Sequence, residues 1–188
     1  MEPNGQNGDA EDGPLASETH VRVLDVLDRR PIGREIHALS EPSLHLVRAR
    51  LNSDSNCEAG DHLDLESGNI GPLSQLRFRD LSGDANASLQ DTVKQSILFN
   101  PDPHLGFFNR VQNISLKVHG FQLLPGVGSS TARSWVTIRG QNGWVDLAEV
   151  SEKLGVEVVD LLAERYVGEF AEPAEVPSLL DLLVRVSA

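Results

Sequence analysis

One cysteine in 188 residues, Cys57, leaves no partner for an internal disulfide and no set for a thiolate zinc site. Aromatic residues make up only 5% of the chain, and Phe78 is the sole aromatic among residues 1–98, so the N-terminal half offers no platform for stacked bases. No apolar run is long enough to span a bilayer, and the N-terminus has neither the basic start nor the apolar centre of a secretory signal. The expectation is a soluble protein of a reducing cytoplasm, with no membrane partner. Two Asn-x-Ser matches, at Asn86 and Asn113, are therefore read as chance.

Catalytic patterns are missing too. The histidines at positions 20, 37, 45, 62, 104 and 119 have no metal-ligand spacing, and there is neither a Gly-x-Ser-x-Gly elbow nor a phosphate loop with its lysine. In Asp61-His62-Leu63-Asp64, alternation along a strand sends the first acid and the histidine to opposite faces, which fits a solvated edge better than a catalytic pair. The sequence predicts no catalytic residues, no metal, no cofactor and no small-molecule substrate.

Lysine is scarce: Lys94, Lys117 and Lys153 stand against thirteen arginines, and 28 acids outweigh all 16 cations to give a net charge of −12. Such a balance argues against a polyanion partner unless cations are gathered locally. They are gathered between residues 103 and 140, which hold Arg110, Lys117, Arg133 and Arg139 and no acid. The acids concentrate in the tail and after Asp146.

What the chain does contain falls into segments. Residues 1–17 are polar, acidic and glycine-rich, and read as a disordered tail. Over residues 18–80, five short alternating stretches read as strands: His20 to Leu27 with Val21 and Val23 inward, Ile36 to Leu39, Leu44 to Leu51 with Leu44, Leu46 and Leu51 inward, His62 to Glu66, and Ser74 to Arg79. Five strands punctuated by turns predict a small antiparallel β-barrel of the oligonucleotide-binding type, the alternative being any small β-domain used for packing. Residues 81–177 read as helical. Ser88 is a candidate cap for a helix ending at Pro101, a second helix starts at Pro103, and Asn113 is a candidate cap for a third through Ile114, Val118 and Phe121. Trp144 to Leu154 and Glu157 to Phe170 supply two more. The apolar run Leu179 to Val186, within residues 178–188, fits a helix or a strand; its β-branched end favours a strand returning to the barrel. The fold class is α+β.

The stretch from Leu123 to Ser130 joins two helical patterns through Pro125-Gly126-Val127-Gly128 and reads as a helix-hairpin-helix turn spanning residues 114–139. Glycines at such a turn admit backbone angles other residues resist, Val127 plugs between the helices, and Ser129 or Ser130 caps the helix that carries Ala132, Trp135 and Val136 on one face. A helix N-terminus presents backbone amides and about half a positive charge, which suits a phosphate. The candidate nucleic-acid-binding residues are Gly126, Val127, Gly128, Ser129, Ser130, Thr131, Lys117, Arg133 and His119, with Lys117, His119 and Gln122 off the apolar face and exposed. The competing reading is a tight helix connection that touches no ligand.

Phe107-Phe108-Asn109, the run Ile114 to Gly128, and Leu162-Ala163-Glu164-Arg165 resemble the archaeal domain-of-unknown-function family numbered 655, as do Val23 to Leu27 and Arg34-Glu35-Ile36. The resemblance covers residues 19–186. It implies RNA-binding proteins with a barrel-like N-terminal part and a helix-hairpin-helix C-terminal part, working near translation or ribosome maturation. It also implies lysines directly after the second glycine, where this chain has Ser129 and Ser130; hydroxyls neutralise no charge, so weaker, less salt-sensitive binding is expected. The function expected is non-enzymatic, sequence-neutral binding of nucleic acid, RNA in preference to DNA, alone or with ribosomal or other protein partners. The alternatives are a protein-interaction adaptor without nucleic-acid contact, and an accessory subunit of an enzyme or nuclease.

Overall fold

The computed structural model describes residues 13–174 and 177–185. The tail expectation for residues 1–12 and the last three residues of the expected C-terminal strand lie outside them. The chain divides into two compact units, Met1–Leu76 and Arg77–Ala188.

The first unit is a five-stranded antiparallel sheet built from β1 (His20–Asp28), β2 (Arg34–Glu41), β3 (Leu46–Arg50), β4 (His62–Asp64) and β5 (Ser74–Gln75), in the order β4-β1-β2-β3-β5. The expected oligonucleotide-binding barrel is not formed: β4 and β5 end the sheet on opposite sides, so it is open. The reason is strand length. β4 stops after three residues because Asp64 accepts the Glu66 amide at 2.8 Å and turns the chain into a 3-10 turn at Leu65–Ser67. β5 pairs only through Val47 with Gln75 and Arg48 with Ser74. Closing a barrel needs strands long enough to tilt and stagger.

One face of the sheet carries the core of this unit, with Val21, Val23, Ile36, Ala38, Val47, Ala49, Leu51 and Ile70 buried together. The alternation expected in β1 holds as far as Val23, where a bulge shifts the register between Val23 and Asp25 and Val26 then takes the inward side opposite Ile36. In β3 the inward set is Val47, Ala49 and Leu51, so the expected Leu44, Leu46, Leu51 register is corrected by one residue for Leu46, although Leu44 and Leu46 are themselves buried. Residues 13–17, expected to be disordered, form a turn that packs Leu15 on the core, with the Ala16 amide donating to Gly13 O at 3.0 Å.

The second unit is helical: α1 (Gly83–Phe99), α2 (Asp102–Arg110), α3 (Ser129–Arg139), α4 (Leu147–Leu154), α5 (Val158–Ala171) and α6 (Leu179–Leu183). The cap of α1 is Ser82, whose Oγ accepts the Ala85 amide at 3.1 Å; Ser88 lies inside the helix and donates to Ala85 O instead. α1 buries Ala85, Leu89, Val93 and Ile97 and packs along α5, with Lys94 Nζ 3.2 Å from Asp160 at the margin. The centre is aromatic. Phe107 and Phe108 of α2, Phe121 of the 3-10 turn Gly120–Leu123 and Trp135 of α3 have ring centroids 5.3–6.0 Å apart along a chain of edge and offset contacts.

The C-terminal run forms α6 and not the expected strand. Ser178 Oγ accepts the Asp181 amide at 3.1 Å, and the buried Glu169 carboxylate of α5 accepts the Leu179 and Leu180 amides at 2.6 and 3.1 Å and the Ser178 hydroxyl at 2.7 Å. Arg165 balances that carboxylate at 2.8 Å. A first turn supplied with acceptors in this way is held helical despite its brevity. Among the described residues, no helix is long and apolar enough to cross a membrane.

Candidate functional site

Leu124 is buried under the turn and Pro125 follows it; Gly126 then takes a left-handed backbone, φ 73°, and returns the chain so that Val127 is buried and Gly128 starts α3. Gly126 is the position where glycine is required by the backbone. Gly128 is different: at φ −87° and ψ −179° any residue fits, and a Cβ there would meet nothing within 4 Å. Its bareness leaves the N-terminus of α3 uncovered.

That N-terminus has no side-chain cap and no acid in its first turn. The Ala132 amide donates to Gly128 O at 2.9 Å, whereas the amides of Ser129, Ser130 and Thr131 have no acceptor among the described residues, and all three side chains are exposed. Three unmet donors, three hydroxyls and the positive end of an eleven-residue helix therefore meet at one open point. The structure thus brings together Gly126, Val127, Gly128, Ser129, Ser130 and Thr131.

The other expected members lie apart. His119 and Arg133 line a separate cavity of about 600 Å³ with Gln112, Asn113, Val136 and Thr137. Lys117 lines neither this cavity nor the turn, because the first helix of the hairpin is absent. Residues 113–119 form a bridged turn in which Asn113 pairs with His119, Ile114 and Leu116 are exposed, and a single 3-10 turn, Gly120–Leu123, leads into Leu124. The expected helix capped by Asn113 and the two-helix hairpin over 114–139 are thereby corrected. Gly120 is the physical cause: it is packed so closely on Val111 that a Cβ would collide, and its amide donates to Gln112 O at 3.0 Å, which fixes a return of the chain where a helix would have run on.

His119 serves that turn. It is half-buried, its Nδ1 accepts the Phe121 amide at 3.1 Å, and its own amide donates to Gln122 Oε1 at 2.9 Å, a reciprocal cap. Burial, joined by the nearby Arg139 charge and opposed by the Val111 carbonyl, lowers its pKa below the ordinary histidine value. With Nδ1 as acceptor, the neutral ring carries its proton on Nε2. His119, expected to be exposed, is half-buried and caps this turn.

Arg139, one of the cations of the acid-free window, is buried. It lies seven residues after Ala132 on the packed face of α3, donates from Nη1 to Phe108 O at 3.2 Å and Val111 O at 2.9 Å, and stands 5.4 Å from the centre of the Phe121 ring. Desolvation lowers its pKa. One acid also reaches the turn: the groove of about 740 Å³ beside Gln122 to Gly128 is walled by Glu164 and Arg165 of α5, the latter already paired with Glu169. Sequence spacing alone carried no sign of Glu164 at the turn.

The resemblance motifs locate at packing joints. Asn109 of the Phe-Phe-Asn run donates from Nδ2 to Trp144 O at 2.9 Å and accepts the Trp144 amide at 2.8 Å, and at Gly143, φ 66°, an added Cβ would stand 2.6 Å from its Oδ1. Among the described residues no group of three or more His, Cys, Asp and Glu is placed to hold a metal ion.

No protein in the curated set matches the chain. Its structure is similar to the crystal structure of Af1531 from Archaeoglobus fulgidus, of the DUF655 family, with a TM-score of 0.78 over 87% of this chain and 99% of that one at 20% sequence identity, a likeness of fold. The model of that family, described as proteins of unknown function, matches residues 23–177, and the chain accordingly belongs to the DUF655 family.

Proposed function

We propose that this protein is a non-enzymatic, cytoplasmic nucleic-acid-binding protein, with RNA its ligand in preference to DNA, that holds a backbone phosphate at the start of α3. One observation carries the reading: an uncapped helix N-terminus whose Ser129, Ser130 and Thr131 amides are unmet and uncovered, approached through two glycines. The turn does with one helix and a 3-10 lead-in what a helix-hairpin-helix does with two. Contact through amides and hydroxyls is blind to base identity, so binding is sequence-neutral. Glu164 near the turn and serines in place of lysines keep it weak.

The test is binding of a labelled structured RNA and of duplex DNA to the full chain across a salt series. Micromolar RNA binding that weakens with salt is the expected result; absence of any complex with either nucleic acid at low salt overturns the reading. A protein-interaction adaptor is favoured by a different observation, the exposed apolar side chains of Leu98 and Phe99 at the end of α1 and of Leu116 at the tip of the bridged turn. Failure of nucleic-acid binding would leave that reading in place.

A further inference from the structure

The sheet carries a cluster of cations that neither the local charge of the sequence nor the α3 turn accounts for. A cavity of about 600 Å³ opens over the ends of β2 and β3 and is lined by Arg29, Arg34, Arg48 and Arg50, with Glu35 the only acid and Ser74 at its margin. Four cations against one acid give the wall a net charge of +3 in a chain whose total is −12. Like charges gathered in one concavity repel one another, and an acidic protein has carboxylates to spare for pairing them. Here they are left largely unpaired.

The pairing can be followed residue by residue. Arg48 and Arg50 stand two apart on β3, so their side chains leave the same face of the sheet about 7 Å apart. Both are exposed, and among the described residues neither makes an ion pair or a side-chain hydrogen bond. Arg50 sits across from Glu35, yet that carboxylate is engaged elsewhere, 3.6 Å from Arg29 and 3.4 Å from His37. Arg34 is spent on neutral acceptors, donating from Nη2 to Ser55 O at 2.6 Å and from Nη1 to Asn56 Oδ1 at 3.4 Å, which fixes the guanidinium without cancelling its charge. Arg29 has one long, half-exposed contact. The cross-strand pairs on this face run from Leu39 with Leu46, through His37 with Arg48, to Glu35 with Arg50, so the face is apolar at one end and cationic at the other.

We propose that this arginine-lined cavity is a phosphate-binding site of the first unit, taking the phosphate groups of a nucleotide or of a nucleic-acid strand, with Arg48 and Arg50 as the principal ligands and Arg34 as a fixed third charge. Guanidinium forks match phosphate oxygens two at a time, which a carboxylate-poor wall leaves them free to do. The volume is that of a site for a small charged ligand or a short stretch of backbone. The proposal does not depend on the α3 turn.

The experiment uses the full chain with two probes, adenosine triphosphate by calorimetry and a labelled single-stranded RNA by anisotropy, each at several salt concentrations. The variant is Arg48→Ala with Arg50→Ala; both residues are exposed and carry no bond whose loss would unfold the sheet, and the thermal transition checks that it stays folded. The expected result is at least a tenfold loss of affinity and, for RNA, a fall in the slope of log K against log salt of about 1.4, the contribution of two phosphate contacts to a single strand. Lysine at both positions should restore the slope while recovering only part of the affinity. Triphosphate binding that depends on these arginines identifies a free nucleotide as the source, and RNA binding that depends on them identifies the polymer; either result supports the site. Wild-type protein that binds neither probe, or binding that the double variant leaves unchanged, overturns it. If the double variant loses binding while a Gly128 variant keeps it, the α3 reading falls and the arginine site stands.

Discussion

Replacing Gly128 with aspartate should make the protein more stable and a poorer ligand binder at the same time. Position 128 is the cap of α3, its backbone is already extended, and a Cβ meets nothing within 4 Å, so the substitution needs no rearrangement. The new carboxylate can accept the Ser130 or Thr131 amide. A capping aspartate gains a few tenths of a kcal/mol over glycine. Its charge at the positive end of the helix adds about 0.5 kcal/mol, and fewer conformations in the unfolded chain add about 0.5 kcal/mol more. The sum, about 1 kcal/mol, corresponds to a rise in Tm of about 4 °C. Binding moves the other way, because the amides are then occupied and a negative charge stands where phosphate would sit. Losing one charge-assisted contact of about 1.5–3 kcal/mol raises Kd about 10- to 100-fold. Differential scanning calorimetry and RNA anisotropy on the same preparation read both effects. A raised Tm with unchanged affinity would remove phosphate from the turn, and a lowered Tm would refute the cap geometry.

Three further outcomes follow from other residues. Ser129→Lys with Ser130→Lys places two ammonium groups beside the same amides and should tighten RNA binding about tenfold and steepen its salt dependence by about 1.4, measured by anisotropy from low to moderate salt. Glu169→Ala strips the acceptor from the Leu179 and Leu180 amides and leaves Arg165 without its carboxylate, so urea unfolding should show a loss of about 2–4 kcal/mol. His104, buried with Nδ1 2.9 Å from the Tyr166 hydroxyl, has its pKa lowered by desolvation to about 4. The unfolded chain takes up this proton below pH 6.5 and the folded one does not, so the neutral ring costs nothing above pH 6.5. Stability drains away by about 3 kcal/mol between pH 6.5 and pH 4. A His104→Gln variant with a flatter pH profile in urea unfolding supports the assignment; an identical profile contradicts it.

Local signals carried much of the layout and failed where long-range contacts decide. Val21 and Val23 announced the inward face of β1 because polar residues separate them, whereas Leu46 and Val47 are both buried, so alternation in β3 had no unique phase. Leu-Leu-Asp-Leu-Leu near the C-terminus is ambiguous by period, and the carboxylate that makes it helical comes from Glu169, ten residues upstream on another helix. Ile114, Val118 and Phe121 have helical spacing, yet the chain folds back around Leu116 and its returning limb is seated by Gly120, whose contact with Val111 no periodicity reveals. The turn at Gly126 was legible because its constraint, a left-handed backbone, is local. The burial of Arg139 is not legible in the sequence, because an arginine at a core position satisfies itself on distant carbonyls, here those of Phe108 and Val111. Arg29, Arg34, Arg48 and Arg50 come from three separate stretches of sequence, and only the pairing of β2 with β3 gathers them.

The open sheet limits how another protein could join it. An exposed strand edge is a row of vacant backbone donors and acceptors, and many recognition modules recruit peptides by lengthening a sheet there. Here one margin is three residues long and the other two, and the chain bends away at the end of β4 into its 3-10 turn. An incoming strand would find two or three backbone bonds before the template ran out. Neither β4 nor β5 thereby offers a backbone template of useful length, and a partner meeting either of these short margins is recognised through side chains.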